Sequence, residues 1–310
     1  MAAALLLGFN EERRSNVGIV ATEAANNILL HAKTGELLVC SFAHETAGWL
    51  DLLALDKGPG IVDVGRAFED GYSTTGTAGQ GLGAIQRLSD ASSLYSLHHR
   101  GSVLWSRFGK TPSVRYPSFG VVSIPIKGET ACGDSFLLVP AASRSLYMVV
   151  DGLGHGPFAA EAAHEAVSVV QASIGERATE IFTRAHGALK KTRGAAMSLA
   201  LVDHERQVVV CSGVGNISTA LITGTATRNV PSQNGTLGAV LPHIQEYTYP
   251  IEPHSTLLMF SDGLTSKCSI AGYPGLQNRH PQLIAGLLYR DFGRGRDDAT
   301  VLYAPLGVGT

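Results

Sequence analysis

The stretch LYMVVDGLGHGP, residues 146–157, decides how the second half of this chain is read. An apolar run meets one carboxylate, Asp151, and the chain then loosens into glycine. Asp-Gly suits a tight turn, so the acid could simply mark a corner. The rival reading is an acid fixed on a sheet rim to hold a metal ion. More acids stand in the same kind of place: Asp134 before FLLV, Asp262 after LLMFS, and Asp297 and Asp298 before ATVLYA. A turn accounts for each alone, but acids that all abut apolar strands point to convergence on one rim. Carboxylates so close repel one another unless cations neutralise them. Without His or thiolate partners they suit a hard ion, Mg2+ or Mn2+, and not zinc. Two ions roughly 3.5–4 Å apart can share a water, lower its pKa and aim it at phosphorus. Other hydrolytic signatures are missing: there is no G-x-S-x-G elbow, and HETAG (44–48) and HEAVS (164–168) do not complete H-E-x-x-H.

Composition sets the frame for that site. At 310 residues the chain has room for two domains, and 45% hydrophobic against 16% charged residues predicts well-filled cores and no disorder. A net charge of −2 without a Lys/Arg run argues against nucleic acid. The scattered Cys40, Cys132, Cys211 and Cys268 form no CxxC pair and read as reduced thiols. The opening MAAALLLGFNEERR lacks the charged start and cleavage site of a signal peptide. No stretch approaches the roughly 20 apolar residues of a spanning helix. A soluble, cytoplasmic protein with no membrane partner is expected.

Periodicity lapses at GKTPSVRYPSFG, residues 109–120, which reads as a linker; Leu104 occupies the position where a Walker A loop needs its first glycine. Ahead of it, residues 10–32 read as a helix capped by Asn10, with Val17, Val20, Ala21, Ala24 and Ile28 as its apolar stripe. Strands are expected at 36–42 and 49–56, a short helix at 62–70 and a hairpin over 92–108. Beyond the linker, strands are expected at FLLVP, LYMVV, AMSLALVD, QVVVCSG, TLLMFSD and ATVLYAP, with helices near 157–174, 176–191 and 280–290. Pro157 suits a first helical position.

Glu23 and Asn27 stand four apart and so share one helix face, away from the stripe. Asp56 ends a strand, Gly58 and Gly60 turn the backbone, and Gly79, Gly81 and Gly83 lead into a helix, where N–H groups can approach phosphate. GQGLGA has the wrong spacing for a dinucleotide fold. In this order, TEAANNILLHAKTGEL and DKGPGIVDVGRAFEDGYSTTGTAGQGLGAIQRLSD resemble the GHKL ATP-binding family, and within it the RsbT-like serine kinases of bacterial anti-sigma networks. The resemblance spans about residues 8–108. It implies ATP–Mg2+ binding, with Glu23 as catalytic base, Asn27 as magnesium ligand, Asp56 on adenine and Gly58, Gly60, Gly79, Gly81 and Gly83 around the phosphates. Such kinases begin with a further strand and a fuller first helix, so the expectation is either a sheet that lacks an edge strand or a start placed late in the sequence.

CGDSF, VVDGLGHGP, AAMSLALVD, CSGVGN, MFSDGLTS and RDDATVLY fall in the order of the metal-dependent PPM phosphatases and resemble their SpoIIE-like, RsbX-like branch over about residues 119–306. The resemblance implies that Asp151 bridges two ions, Gly152 offers its carbonyl, and Asp262 and Asp297 hold the second ion. Asp134 would sit in the outer shell as a catalytic acid, orienting metal-bound water or binding an additional ion, and Asp298 is the neighbour of the aligned ligand. Leu153 stands where better-known members carry His; His155 reads either as a substitute acid or as a polar loop residue.

The expected fold is α/β (α+β). A GHKL-type α/β sandwich (residues 1–108) and a linker (109–118) precede a PPM-type α-β-β-α sandwich (119–310). The expected function is metal-dependent removal of phosphate from a phosphorylated STAS-domain regulator of the anti-sigma-antagonist kind. The N-terminal half reads as a serine kinase-like domain or, alternatively, as a regulatory module that binds nucleotide or a partner without transferring phosphate.

Overall fold

A computed structural model describes residues 2–44, 47–65, 81–111, 116 and 118–307. The chain forms two compact units, Met1–Tyr116 with Gly272–Arg290, and Pro117–Ala271 with Asp291–Thr310.

In the first unit, helix α1 (Ala2–Leu6) leads into α2 (Glu11–Asn27), and the Asn10 side chain accepts the Arg13 N–H at 2.8 Å as the expected cap. The helix does not run regularly to residue 32. Ile28–Ala32 continue it as a π-helical turn, a distortion that recurs at functional sites. Strands β1 (Gly35–His44) and β2 (Ala47–Asp56) precede α3 (Gly81–Leu88), β3 (Ala91–Ser96) and β4 (Ser102–Gly109). They form one antiparallel sheet in the order β1-β2-β4-β3. Residues 62–65 make bends and turns, and the rest of the helix expected at 62–70 lies outside the described residues.

Strand parity explains how this sheet is buried. Leu50, Leu52 and Ala54 on β2, with Leu104 and Phe108 on β4, meet Val17, Val20, Ala24 and Ile85 of the helices. Asp51, Leu53, Trp105 and Arg107 alternate onto the opposite face. There, residues 272–290 cover the sheet through helix α6, which runs Pro281–Phe292. A Cβ on Gly286 would lie 3.0 Å from a Leu53 methyl, and His280 stacks on Trp105 at 3.8 Å between ring centroids. The break between Tyr116 and Pro117 falls within residues 109–118, and residues 272–290 group with the first unit. Leu283, Ile284 and Leu287 of α6 are buried in a unit otherwise built from the chain's first 116 residues.

The second unit holds two five-stranded antiparallel sheets. One orders β11 (Ala226–Val230), β10 (Ser218–Thr223), β13 (Thr256–Phe260), β14 (Ala299–Pro305) and β5 (Gly120–Ile124). The other orders β12 (Tyr247–Pro250), β9 (Val208–Val214), β8 (Ala195–Asp203), β7 (Arg144–Gly152) and β6 (Asp134–Val139). The sheets meet at Ser198 and Thr219, whose hydroxyls lie 2.7 Å apart. Helices α4 (Pro157–Ala172) and α5 (Ala178–Leu189) pack on β7 and β8 through Ala162, Ala166, Val170, Ile181, Phe182 and Leu189. Pro157 opens α4 as expected. Strands β5, β10, β11 and β12 were not anticipated, because their short Ser- and Thr-containing runs give little periodicity. No described helix is long and apolar enough to cross a membrane.

Candidate metal centre and nucleotide pocket

Asp151 is not in a turn. Asp151 and Gly152 are the last rungs of β7, paired with Ala196 and Ala195, and the loop begins at Leu153. The strand's pairing, rather than a hairpin, aims the acid. Gly152 must lack a side chain because a Cβ there would lie 2.1 Å from the Ala159 carbonyl oxygen of α4.

Across the ladder, Asp134 is the residue directly opposite Asp151. Like charges facing one another across strands are unfavourable, and no described salt bridge relieves this pair. Burial pushes Asp134 up to about 7, opposed by hydrogen bonds from Ser261 and Thr300 and reinforced by Asp298 and Asp297. Burial also pushes Asp151 up to about 8, with Asp134, Asp262, Asp297 and Asp298 adding to the rise. Asp297 is raised in the same way, with His155 near enough to oppose the shift. The acids of separate strands thus lie within one another's electrostatic reach.

Hydrogen bonds separate the two neighbouring acids before β14. Asp298 is buried, and its oxygens accept the Ile126 and Gly133 N–H groups, each at 2.7 Å. It ties down the segment that leads into β6. Asp297 accepts only the Asp298 N–H, at 2.9 Å, which leaves its second oxygen free among the described contacts. Asp262 takes a 2.8 Å hydrogen bond from Asn216, and Ser261 donates to Asp134 at 2.6 Å. Neither Asn216 nor Ser261 was singled out from sequence; the signals available were their places in CSGVGN and MFSDG. His155 is exposed and lies 2.9 Å from Glu129 through Nδ1.

Among the described residues no three acidic, His or Cys side chains close into a ready-made cage. Mutually repelling carboxylates with free oxygens, joined by a backbone carbonyl, still suit a hard cation entering between them.

In the first unit, Glu23, Asn27 and Gly81 come together. A Cβ on Gly81 would lie 2.9 Å from Glu23 Oε2 and 3.7 Å from Asn27 Oδ1, so the start of α3 faces both side chains. Asn27 Nδ2 is buried without a hydrogen-bond partner, an orphaned polar atom that fits a site built for a ligand. Asp56 accepts the Gly58 N–H at 2.8 Å. Gly60, at φ 74°, packs its Cα against the Leu97 carbonyl, which gives that glycine a packing reason as well. Arg290 of α6 donates to the carbonyls of Asp56 (2.8 Å) and Ser102 (3.1 Å) and so pins the end of the strand that carries Asp56. Gly83 lies within α3, and Gly79 lies outside the described residues.

Residues 142–306 match the family model of stage II sporulation protein E (SpoIIE), and residues 1–108 match that of the histidine kinase-like ATPase domain. The chain belongs to the SpoIIE family. It is a PPM-type phosphatase with a GHKL-like N-terminal domain. The SpoIIE-family half is 30% identical over 140 residues to phosphoserine phosphatase RsbX of Bacillus subtilis (strain 168), covering 44% of this chain and 70% of that one. The N-terminal half is 36% identical over 96 residues to serine/threonine-protein kinase RsbT of the same organism, covering 31% of this chain and 72% of that one. A solved RsbX structure in complex with magnesium superposes with a TM-score of 0.52 at 22% identity, over 61% of this chain and 96% of that one. The phosphatase domain and a regulatory fragment of SpoIIE from Bacillus subtilis give a TM-score of 0.55 at 17% identity, over 94% of this chain and 88% of that one, a likeness of fold.

Proposed function

We propose that this SpoIIE-family phosphatase removes phosphate from serine or threonine of a STAS-domain regulator of the anti-sigma-antagonist kind, in bacterial partner-switching stress signalling. The carrying observation is the rim where Asp134 and Asp151 face each other across one ladder, with Asp262 and Asp297 in electrostatic reach. Two Mg2+ or Mn2+ ions would be held by Asp151, the Gly152 carbonyl, Asp262 and Asp297. Once bound they supply neutralising charge and Lewis acidity toward water and phosphate. Asp134, fixed by Ser261, orients water beside Asp151. Asn216 sets the carboxylate plane of Asp262. Asp298, with both oxygens occupied, keeps the segment before β6 in register and takes no ligand role.

In the N-terminal domain, ATP–Mg2+ would bind with Asp56 on adenine, Asn27 on magnesium and Gly58, Gly60, Gly79, Gly81 and Gly83 around the phosphates. Glu23 would act as base toward a serine of the same STAS partner. The reading is of a cytoplasmic enzyme that writes and erases one mark. Purified chain with Mn2+ should release phosphate from a phosphorylated STAS protein, and with ATP–Mg2+ should phosphorylate the unmodified form. No release from any phosphoserine protein would overturn the first half of the reading.

A regulatory reading of the N-terminal domain is favoured by Arg290, which lies within the SpoIIE match yet holds the Asp56 carbonyl. Glu23→Gln separates the two: a kinase loses transfer while still binding ATP, whereas a regulatory module keeps its effect on phosphate release.

A further inference from the structure

Metal ions at this rim would supply much of the positive charge that a phosphate dianion meets, and a protein cation beside them would fix its orientation. Three arginines of the second unit are engaged in ion pairs. Arg144 stands at the far end of β7 from Asp151 and pairs with Asp203 at 3.7 Å, while Arg177 and Arg184 pair with Glu246 and Glu176. Arg193 differs. It is exposed and makes no ion pair among the described residues, and its guanidinium lies 5.3 Å from the centre of the Phe158 ring. Cation–π contact holds the group while leaving its N–H donors free.

The ladder sets where Arg193 sits. Asp151 pairs with Ala196, Gly152 with Ala195, and the Leu153 N–H donates to the Gly194 carbonyl at 2.9 Å. Arg193 precedes Gly194 in the bend that leads into β8, beside the Asp151 loop. Gly154, at φ 85°, makes room for it, since a Cβ there would lie 2.9 Å from Arg193 Nη1. Leu153 (49% exposed) and Phe158 (63% exposed) form an apolar edge beside the guanidinium.

We propose that Arg193 binds the phosphate of the phosphoserine substrate, with Leu153 and Phe158 receiving the apolar flank of the phosphopeptide. The inference rests on the phosphatase reading and adds the residue that grips the leaving phosphate. Guanidinium suits the role because its planar fork meets two phosphate oxygens at once.

The test is steady-state hydrolysis of p-nitrophenyl phosphate and of a phosphoserine protein by the full chain in Mn2+. Arg193→Ala should lower kcat/KM about 10- to 100-fold, as expected for loss of a charge-assisted hydrogen bond. Inhibition by inorganic phosphate should weaken by a similar factor, and the Mn2+ activation constant should hold. Arg193→Lys should recover part of the loss, and added guanidinium ion should partly rescue Arg193→Ala. Unchanged kcat/KM and phosphate inhibition in an otherwise active enzyme overturn the inference alone. A shift confined to the Mn2+ constant also overturns it, because the arginine would then serve the metal loop. An inactive wild-type chain overturns the phosphatase reading and this inference together.

Discussion

Each unit buries acids, and they do so in opposite ways. In the first unit Asp51 is fully buried, and Arg107 meets it with two hydrogen bonds at 2.8 and 2.7 Å while lying near the rings of Trp49 and Trp105. Burial pushes the Asp51 carboxyl up and the guanidinium pulls it back. In the second unit the charges acting on Asp134 and Asp151 among the described residues are other carboxylates, and His155 acts on Asp297. A compensated buried charge fixes a structure, whereas an uncompensated cluster is unfavourable until something positive arrives. The difference separates scaffold from site without reference to any relative.

Breaking the compensated pair should have a large effect on stability. Arg107→Leu strands the Asp51 carboxylate and should destabilise the first unit by about 3–5 kcal/mol, read by urea denaturation. The double variant Asp51→Asn/Arg107→Leu should recover much of that loss. A double variant as unstable as the single one would mean that packing, not charge, governs this face. Next comes Asp298→Ala, which leaves the Ile126 and Gly133 N–H groups without their acceptor. A loss of about 2–6 kcal/mol is expected, since each of the two stranded donors costs about 1–3 kcal/mol. A stable protein with weakened Mn2+ dependence would instead make Asp298 a ligand.

The uncompensated cluster should behave in reverse. Asp151→Asn removes a charge from the crowded rim, so phosphatase activity should fall at least about 100-fold. The EDTA-treated protein should nevertheless become more stable, by about 0.5–2 kcal/mol. A destabilised variant would show that Asp151 holds the fold and would blur the contrast between the units.

Much of this was legible from local chemistry. Asn10 followed by acidic residues gave the helix start, and apolar runs gave the strands that flank each acid. The Asp-Gly at 151–152 looked like a turn because the dipeptide favours one, yet the pairing with β8 keeps it extended. What sequence could not supply was anything set by distant partners. The apolar face of α6 reads the same whichever sheet it covers, so its packing in the first unit was invisible. Asp297 and Asp298 are chemically identical in sequence, and only the two amides that reach Asp298 tell them apart.

An effect that is absent at neutral pH and grows in acid concerns a neutral neighbour of the compensated pair. His280 stacks on Trp105, and burial, with Arg107 nearby, lowers its imidazole from the ordinary 6.5 to about 3. The unfolded chain takes up this proton near pH 6.5, while the folded unit stays neutral until about pH 3. Between those values the unfolded state binds more protons, so stability is full above the upper value and falls as pH drops through the window. His280→Phe preserves a stacked ring and removes the titration, so the decline between about pH 6.5 and 4 should flatten relative to wild type. Equilibrium denaturation at several pH values reads the slope directly. Identical slopes would mean that the ring protonates in place beside Arg107, and Asp51 would then be compensating two cations rather than one.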